Sequence, residues 1–109
     1  MQTPLEITFR DMSPSPALVA TIDAWVRKLD EVTPLNRCAV VVEKPHKRRR
    51  HGAPFAIHLD ITIPGHEIVV SRDRQSPKNP YIAVADAFRA ARRQLKDFVT
   101  QRRDARPAI

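Results

Sequence analysis

The stretch "FAIHLDITIPGHEIVV", residues 55–70, constrains the fold more than any other part of the chain. Phe55, Ile57, Leu59, Ile61 and Ile63 alternate with Ala56, His58, Asp60 and Thr62. A period of two puts the first set on one face of a β-strand and the second on the other. Pro64–Gly65 follows as a turn signal, with proline suited to the first central position and glycine to the second. "HEIVVSR" then returns with Ile68 and Val70 on the apolar face. A two-residue turn pairs Ile61 with Ile68 and Leu59 with Val70, although a Pro–Gly pair fits tight hairpins less well than the primed turns. One apolar sheet face must therefore be covered by something else in the chain.

Two amphipathic segments can cover it. Leu18, Ile22, Trp25, Val26 and Leu29 recur at helical spacing after "SPSP", where Ser15 reads as the N-cap and Pro16 as the first helical residue. That helix should end near Val32, because Pro34 disfavours helical geometry at Thr33. Tyr81, Val84, Phe88, Ala91, Leu95 and Phe98 mark a second, longer helix from Pro80 to about Arg103. Ahead of the first helix, Leu5, Ile7 and Phe9 alternate with Glu6, Thr8 and Arg10 as a half-buried strand, while "RCAVVVEK" (37–44) is apolar on both parities and reads as a central strand. The order β-α-β-β-β-α predicts an α+β fold: a four-stranded mixed sheet, its first two strands parallel, with both helices on one face. Thr8, Glu43, His58, Asp60 and Glu67 fall on the other face, open to solvent or to a partner. Residues 1–104 read as a single domain and 105–109 as a frayed tail, since 109 residues suit one compact unit.

Charge narrows the function. The net charge is +7, and it is uneven: residues 1–43 hold four cations against six acids, and residues 44–109 hold fifteen against six. Such a half points to a polyanionic partner, nucleic acid being the commonest, or to a solvated cationic surface. On a helical wheel, Arg89, Arg92, Arg93, Lys96 and Arg103 fall in one sector beside the apolar stripe, with Asp86, Asp97 and Asp104 beyond them. The sector reads as a face for a phosphate backbone; the alternative is arginines that lie along the core edge and pair with aspartates one turn away. "KPHKRRRHGAP" places Lys47, Arg48, Arg49 and Arg50 in the loop between the second and third strands, where they either reach phosphates or simply meet solvent.

Enzymatic chemistry finds little support. Cys38 lies in an apolar strand, as a buried structural thiol does, and a single cysteine allows no internal disulfide. His46 and His51 lack the further ligands of a zinc site, so no metal or other cofactor is expected. Two glycines, Gly52 and Gly65, cannot build a phosphate-cradling loop. Trp25 and Tyr81 sit at core-facing spacing and read as packing residues. No signal peptide and no stretch near the roughly 20 apolar residues of a membrane span is visible, which leads to the expectation of a cytoplasmic protein with no membrane partner and no small-molecule substrate.

"ITFRDMSPSPALVATIDAWVRKLDEV" resembles the opening of the bacterial ribosome hibernation-promoting factors and ribosome-associated inhibitor proteins, through Ile7, Arg10, Ser15, Ala17, Leu18, Lys28 and Leu29. Tyr81, Ala83, Val84, Arg93, Gln94 and Leu95 match the family's final helix, and "AVADAFRAARRQLKDFV" looks like a short, single-domain branch of it. The resemblance implies a non-enzymatic protein that binds 16S rRNA of the small ribosomal subunit and idles ribosomes under stress. Carried over by position, the contacts would be Arg27 and Lys28 on the first helix and Arg89, Arg92, Arg93 and Lys96 on the last. Ala85, Ala90 and Ala91 stand where the family commonly has an acid and a Lys-Leu pair. A regulatory module that binds another protein, or a different nucleic acid, is the alternative for the same scaffold.

Overall fold

The computed structural model describes residues 3–44, 55–72 and 79–104. Both the basic loop, with Lys47, Arg48, Arg49 and Arg50, and the tail 105–109 lie outside the described residues. The elements are β1 (Leu5–Arg10), α1 (Pro16–Val32), β2 (Arg37–Glu43), β3 (Ala56–Ile63), β4 (His66–Arg72) and α2 (Pro80–Asp104). They form the expected α+β fold, with a four-stranded sheet in the order β1-β2-β3-β4. β1 and β2 run parallel, and the other two pairings are antiparallel.

The alternation in β3 and β4 sets the register. Leu59 pairs with Val70, Ile61 with Ile68 and Ile63 with His66, so the turn holds only Pro64 and Gly65. Gly65 has φ +77°, the sign that the second central position of a type II turn requires and that a side chain resists. The Pro–Gly pair thus closes a tight hairpin without a primed turn. β2 lies inside the sheet, and Cys38, Val40 and Val42 carry the apolar face across to Ile61, Leu59 and Ile57. All six are at most 1% exposed.

Both helices bury their stripes against this one face. Leu18, Ile22, Val26 and Leu29 of α1 join Ala83, Val84, Ala87, Phe88, Ala91 and Leu95 of α2 in a single core cluster with the strand residues. Each large aliphatic side chain taken out of water contributes about 1.5–3 kcal/mol. α2 lies over β3 and β4 and packs beside α1. Small residues at 83, 87, 90 and 91 let the helix approach closely.

The helix ends follow local chemistry. Ser15 Oγ accepts a hydrogen bond from the Leu18 amide (3.2 Å), with Pro16 opening the helix behind it. Asn79 Oδ1 does the same for α2, accepting from the amides of Tyr81 (2.9 Å) and Ile82 (3.4 Å). Asp30 Oδ1 accepts from Thr3 Oγ1 (3.0 Å) and the Leu35 amide (3.1 Å), fastening the chain on either side of α1. Tyr81 departs from expectation. It is 42% exposed, because it sits in the first turn of α2, ahead of Ala83 and Val84, where burial begins.

At the other end of α2, the helix grips the hairpin. Arg102 donates to the Pro64 carbonyl (3.1 Å), and its guanidinium lies over the Phe98 ring. Phe98 stacks on His66 with centroids 4.0 Å apart. Near the opposite end, Arg72 of β4 is held 3.7 Å from Asp86 of α2.

Candidate nucleic-acid interface

Parallel stripes on two neighbouring helices leave a furrow between their outer shoulders. Here it is a groove of about 620 Å³ lined by Trp25, Lys28 and Glu31 of α1 and by Arg89, Arg92, Arg93 and Lys96 of α2. Positions 89, 92, 93 and 96 follow the i, i+3, i+4, i+7 spacing of one helical face, so the same periodicity that buries Phe88 and Leu95 lines up the cations beside them. Over seven residues that face advances about 10 Å.

Trp25 forms part of the wall. Its ring stacks on the buried Phe88, centroids 6.0 Å apart and planes 15° from parallel. Lys28 Nζ lies over the ring at 4.6 Å, and the Arg89 guanidinium carbon at 5.7 Å. Cations held over an indole face are oriented by its quadrupole, worth about 0.5–1 kcal/mol when exposed. None of the five cations forms an ion pair with any described residue. Their charge is therefore presented outward rather than spent within the fold.

The ten residues singled out from the sequence divide three ways. Lys28, Arg89, Arg92, Arg93 and Lys96 are brought together in the groove. Arg27 is not: it lines an adjoining hollow with Asp23 and Asp30, which shares only Glu31 with the groove, and pairs with Asp23 one turn back at 3.0 Å. Lys47, Arg48, Arg49 and Arg50 fall outside the described residues. Arg103, grouped with the stripe on the helical wheel, instead lines a hollow with Phe98, Arg102 and Pro64. Trp25 is half-buried, so its packing role is only half of its position. Glu31 was not singled out by the sequence, and a wheel of both helices together is what would have found it.

The open face of the sheet has the opposite character. Glu6, Glu43, Asp60 and Glu67 lie there, with Arg10 and Arg37 among them. Glu6 takes up Arg37 at 3.4 Å, and His58 Nδ1 hydrogen-bonds to Ser71 Oγ at 2.9 Å. A side-chain hydrogen bond with Asp60, and then the Asp60 charge, hold Glu67 above its ordinary value of 4.5. Beneath this face, burial pushes the Cys38 thiol up to about 12, the charge of Asp60 adding to the effect and that of Arg37 opposing it. The described residues hold no cluster of three or more metal-ligating side chains. No described helix is long and apolar enough to cross a membrane.

Fold and groove together define a small α+β domain with a basic furrow between two helices on a sheet. The chain belongs to the family described as sigma 54 modulation protein / S30EA ribosomal protein, which it matches over residues 5–103. Among solved structures it is similar to the N-terminal domain of Protein Y from Thermus thermophilus (TM-score 0.70, 16% identity, covering 89% of this chain and 99% of that one). It is also similar to a ribosomal subunit interface protein from Coxiella burnetii (TM-score 0.69, 15% identity, covering 90% and 99%). At such identities the likeness is one of fold. No curated protein sequence matches the chain significantly.

Proposed function

We propose that this protein binds RNA of the small ribosomal subunit through the interhelical groove, and that by doing so it idles ribosomes under stress. The observation that carries the reading is the set of five cations in one groove, none of them ion-paired to a described carboxylate. Family membership supplies the ribosome as the place to look. The single domain has no catalytic part to play in this reading: it acts by occupying a site in the cytoplasm, and needs no cofactor. Lys28 on one rim and Arg89, Arg92, Arg93 and Lys96 on the other would hold phosphates, and Lys47, Arg48, Arg49 and Arg50 would add contacts from the β2–β3 connection.

The five groove contacts alone imply that log K falls against log salt with a slope of about −3.5 to −4.5, and any contact from residues 47–50 would steepen it. The test is co-sedimentation with purified small subunits. Replacing Arg89, Arg92, Arg93 and Lys96 together by Glu should abolish it, and unchanged co-sedimentation of the folded variant would reject the groove as the binding face.

A second reading takes the acidic open sheet face as the contact surface for another protein. Val69, 58% exposed in the middle of the edge strand β4, favours it. Nuclease-resistant capture of a protein, with no ribosomal RNA recovered, would select that reading.

A further inference from the structure

The two rims of the groove differ in chemistry. α2 offers only cations, whereas α1 offers an aromatic ring, a cation and a carboxylate at steps of three, in Trp25, Lys28 and Glu31. Phosphate binding does not account for Glu31, because an acid beside a phosphodiester repels it. Nor is Glu31 a paired counter-ion: it stands where the groove meets the hollow beside Arg27, and its carboxylate makes no ion pair or side-chain hydrogen bond with any described residue. An ionised carboxylate can only accept hydrogen bonds, through two oxygens side by side. Its natural complement is a pair of adjacent N–H donors.

Among the four RNA bases, guanine alone carries two adjacent donors, N1–H and N2–H, on its Watson–Crick edge. Uracil offers one imino donor there, and adenine and cytosine one amino group. In a duplex that edge is already paired, so only an unpaired base can present it. A volume of about 620 Å³ falls within the roughly 300–1,000 Å³ of small-molecule sites.

The geometry points to a base-reading site: the groove holds an unpaired guanine of single-stranded RNA, with Glu31 accepting from N1–H and N2–H. The base packs on the Arg89 guanidinium, a planar surface on which bases stack, next to the Trp25 ring that Phe88 and the Lys28 and Arg89 cations already flank. Its flanking phosphates lie on the α2 cations. The site rests on the reading of this groove as RNA-binding, and adds to it a residue that selects sequence.

Trp25 is the only tryptophan of the chain, so its fluorescence reports on occupancy of the groove directly. The experiment titrates the protein at low salt with short oligouridines that differ only in one central base: guanine, inosine or uracil. The guanine oligomer should bind about 5- to 150-fold more tightly than the uracil one, the range of a bidentate contact. Inosine, which lacks the N2 amino group, should fall between them. Glu31→Gln should bring the guanine-to-uracil ratio below about twofold while the all-uracil oligomer binds at least as tightly as before. If Glu31→Gln strengthens both oligomers by the same factor, the acid only repels RNA and the inference fails. Equal affinity of the wild-type protein for guanine and uracil oligomers overturns the inference while leaving the RNA reading intact. Absence of binding to every oligomer and to the small subunit overturns both. Free GMP that binds as tightly as the guanine oligomer would assign the pocket to a free nucleotide, and the strand reading would fall.

Discussion

Trp25 stacks on Phe88 across the α1–α2 seam, with centroids 6.0 Å apart and planes 15° from parallel. One partner is fully buried and the other reaches the groove wall, so the hydrophobic core and the basic surface meet in a single pair of rings. Any change that moves Phe88 must move the surface under Lys28 and Arg89 as well.

Phe88→Ala should therefore act on stability and on the groove together. Loss of a fully buried phenylalanine costs about 3–5 kcal/mol, read as a shift of the urea midpoint. Emission from Trp25 in the folded variant should move to longer wavelength as its buried side opens. A stability change under 1 kcal/mol would show that the ring is not the seat described here.

Neighbouring cations on α1 should behave differently. Lys28 faces the groove, whereas Arg27 is turned away and held by Asp23 at 3.0 Å. Lys28→Ala should reduce the salt slope of RNA binding by about 0.7–0.9, and Arg27→Ala should leave the slope unchanged. Equal effects in salt-titrated filter binding would mean that the orientation of α1 does not decide its contacts.

Arg102→Ala removes the hydrogen bond to the Pro64 carbonyl and the cation over Phe98. The expected loss is about 1 kcal/mol. It should be local, appearing as faster amide exchange around the β3–β4 turn while the β2–β3 ladder keeps its protection. Uniform acceleration across the sheet would contradict a local grip.

Cys38 supplies a pH prediction. Its thiol lies at about 12 in the folded chain against an ordinary value of 9.0. An unfolded chain loses this proton first, so deprotonation favours unfolding between those values. The contribution to stability is complete below about pH 9 and is lost as pH rises toward 12. Thermal midpoints should fall over that range more steeply for the wild type than for Cys38→Ala. A thiol reagent at pH 8 should label the protein only after denaturant is added, and rapid labelling of the native protein would refute the burial.

Much of the fold is legible in the sequence because its signals are local. The alternation from Ile57 to Val70 fixes strand faces and register, and two residues between Ile63 and His66 allow only a hairpin. Ser15 and Pro16 mark a helix start through groups within one turn. The groove is less legible. A helical wheel gives the angle of Arg92 about its own axis, but not the rotation of α1 against α2, and that rotation puts Lys28 in the groove and Arg27 outside it. The same rotation brings in Glu31 and uncovers part of Trp25. Tyr81 shares the helical phase of Phe88, yet it lies one turn ahead of the buried part of the helix, a boundary that periodicity does not mark.

The four acids on the open sheet face have a mechanical meaning when set against the five cations of the groove. Among the described residues the groove holds five cations with Glu31, and the open face holds four acids with Arg10 and Arg37, so the groove is the more positive of the two surfaces. In a cleft walled by phosphates the domain experiences a torque as well as an attraction. A half turn about the strand direction would put Glu6, Glu43, Asp60 and Glu67 against the wall and drive the domain back out. In the proposed binding reading, orientation would thus be biased at a distance, before any side chain touches its partner, and the bias would weaken as added salt shortens the reach of the field.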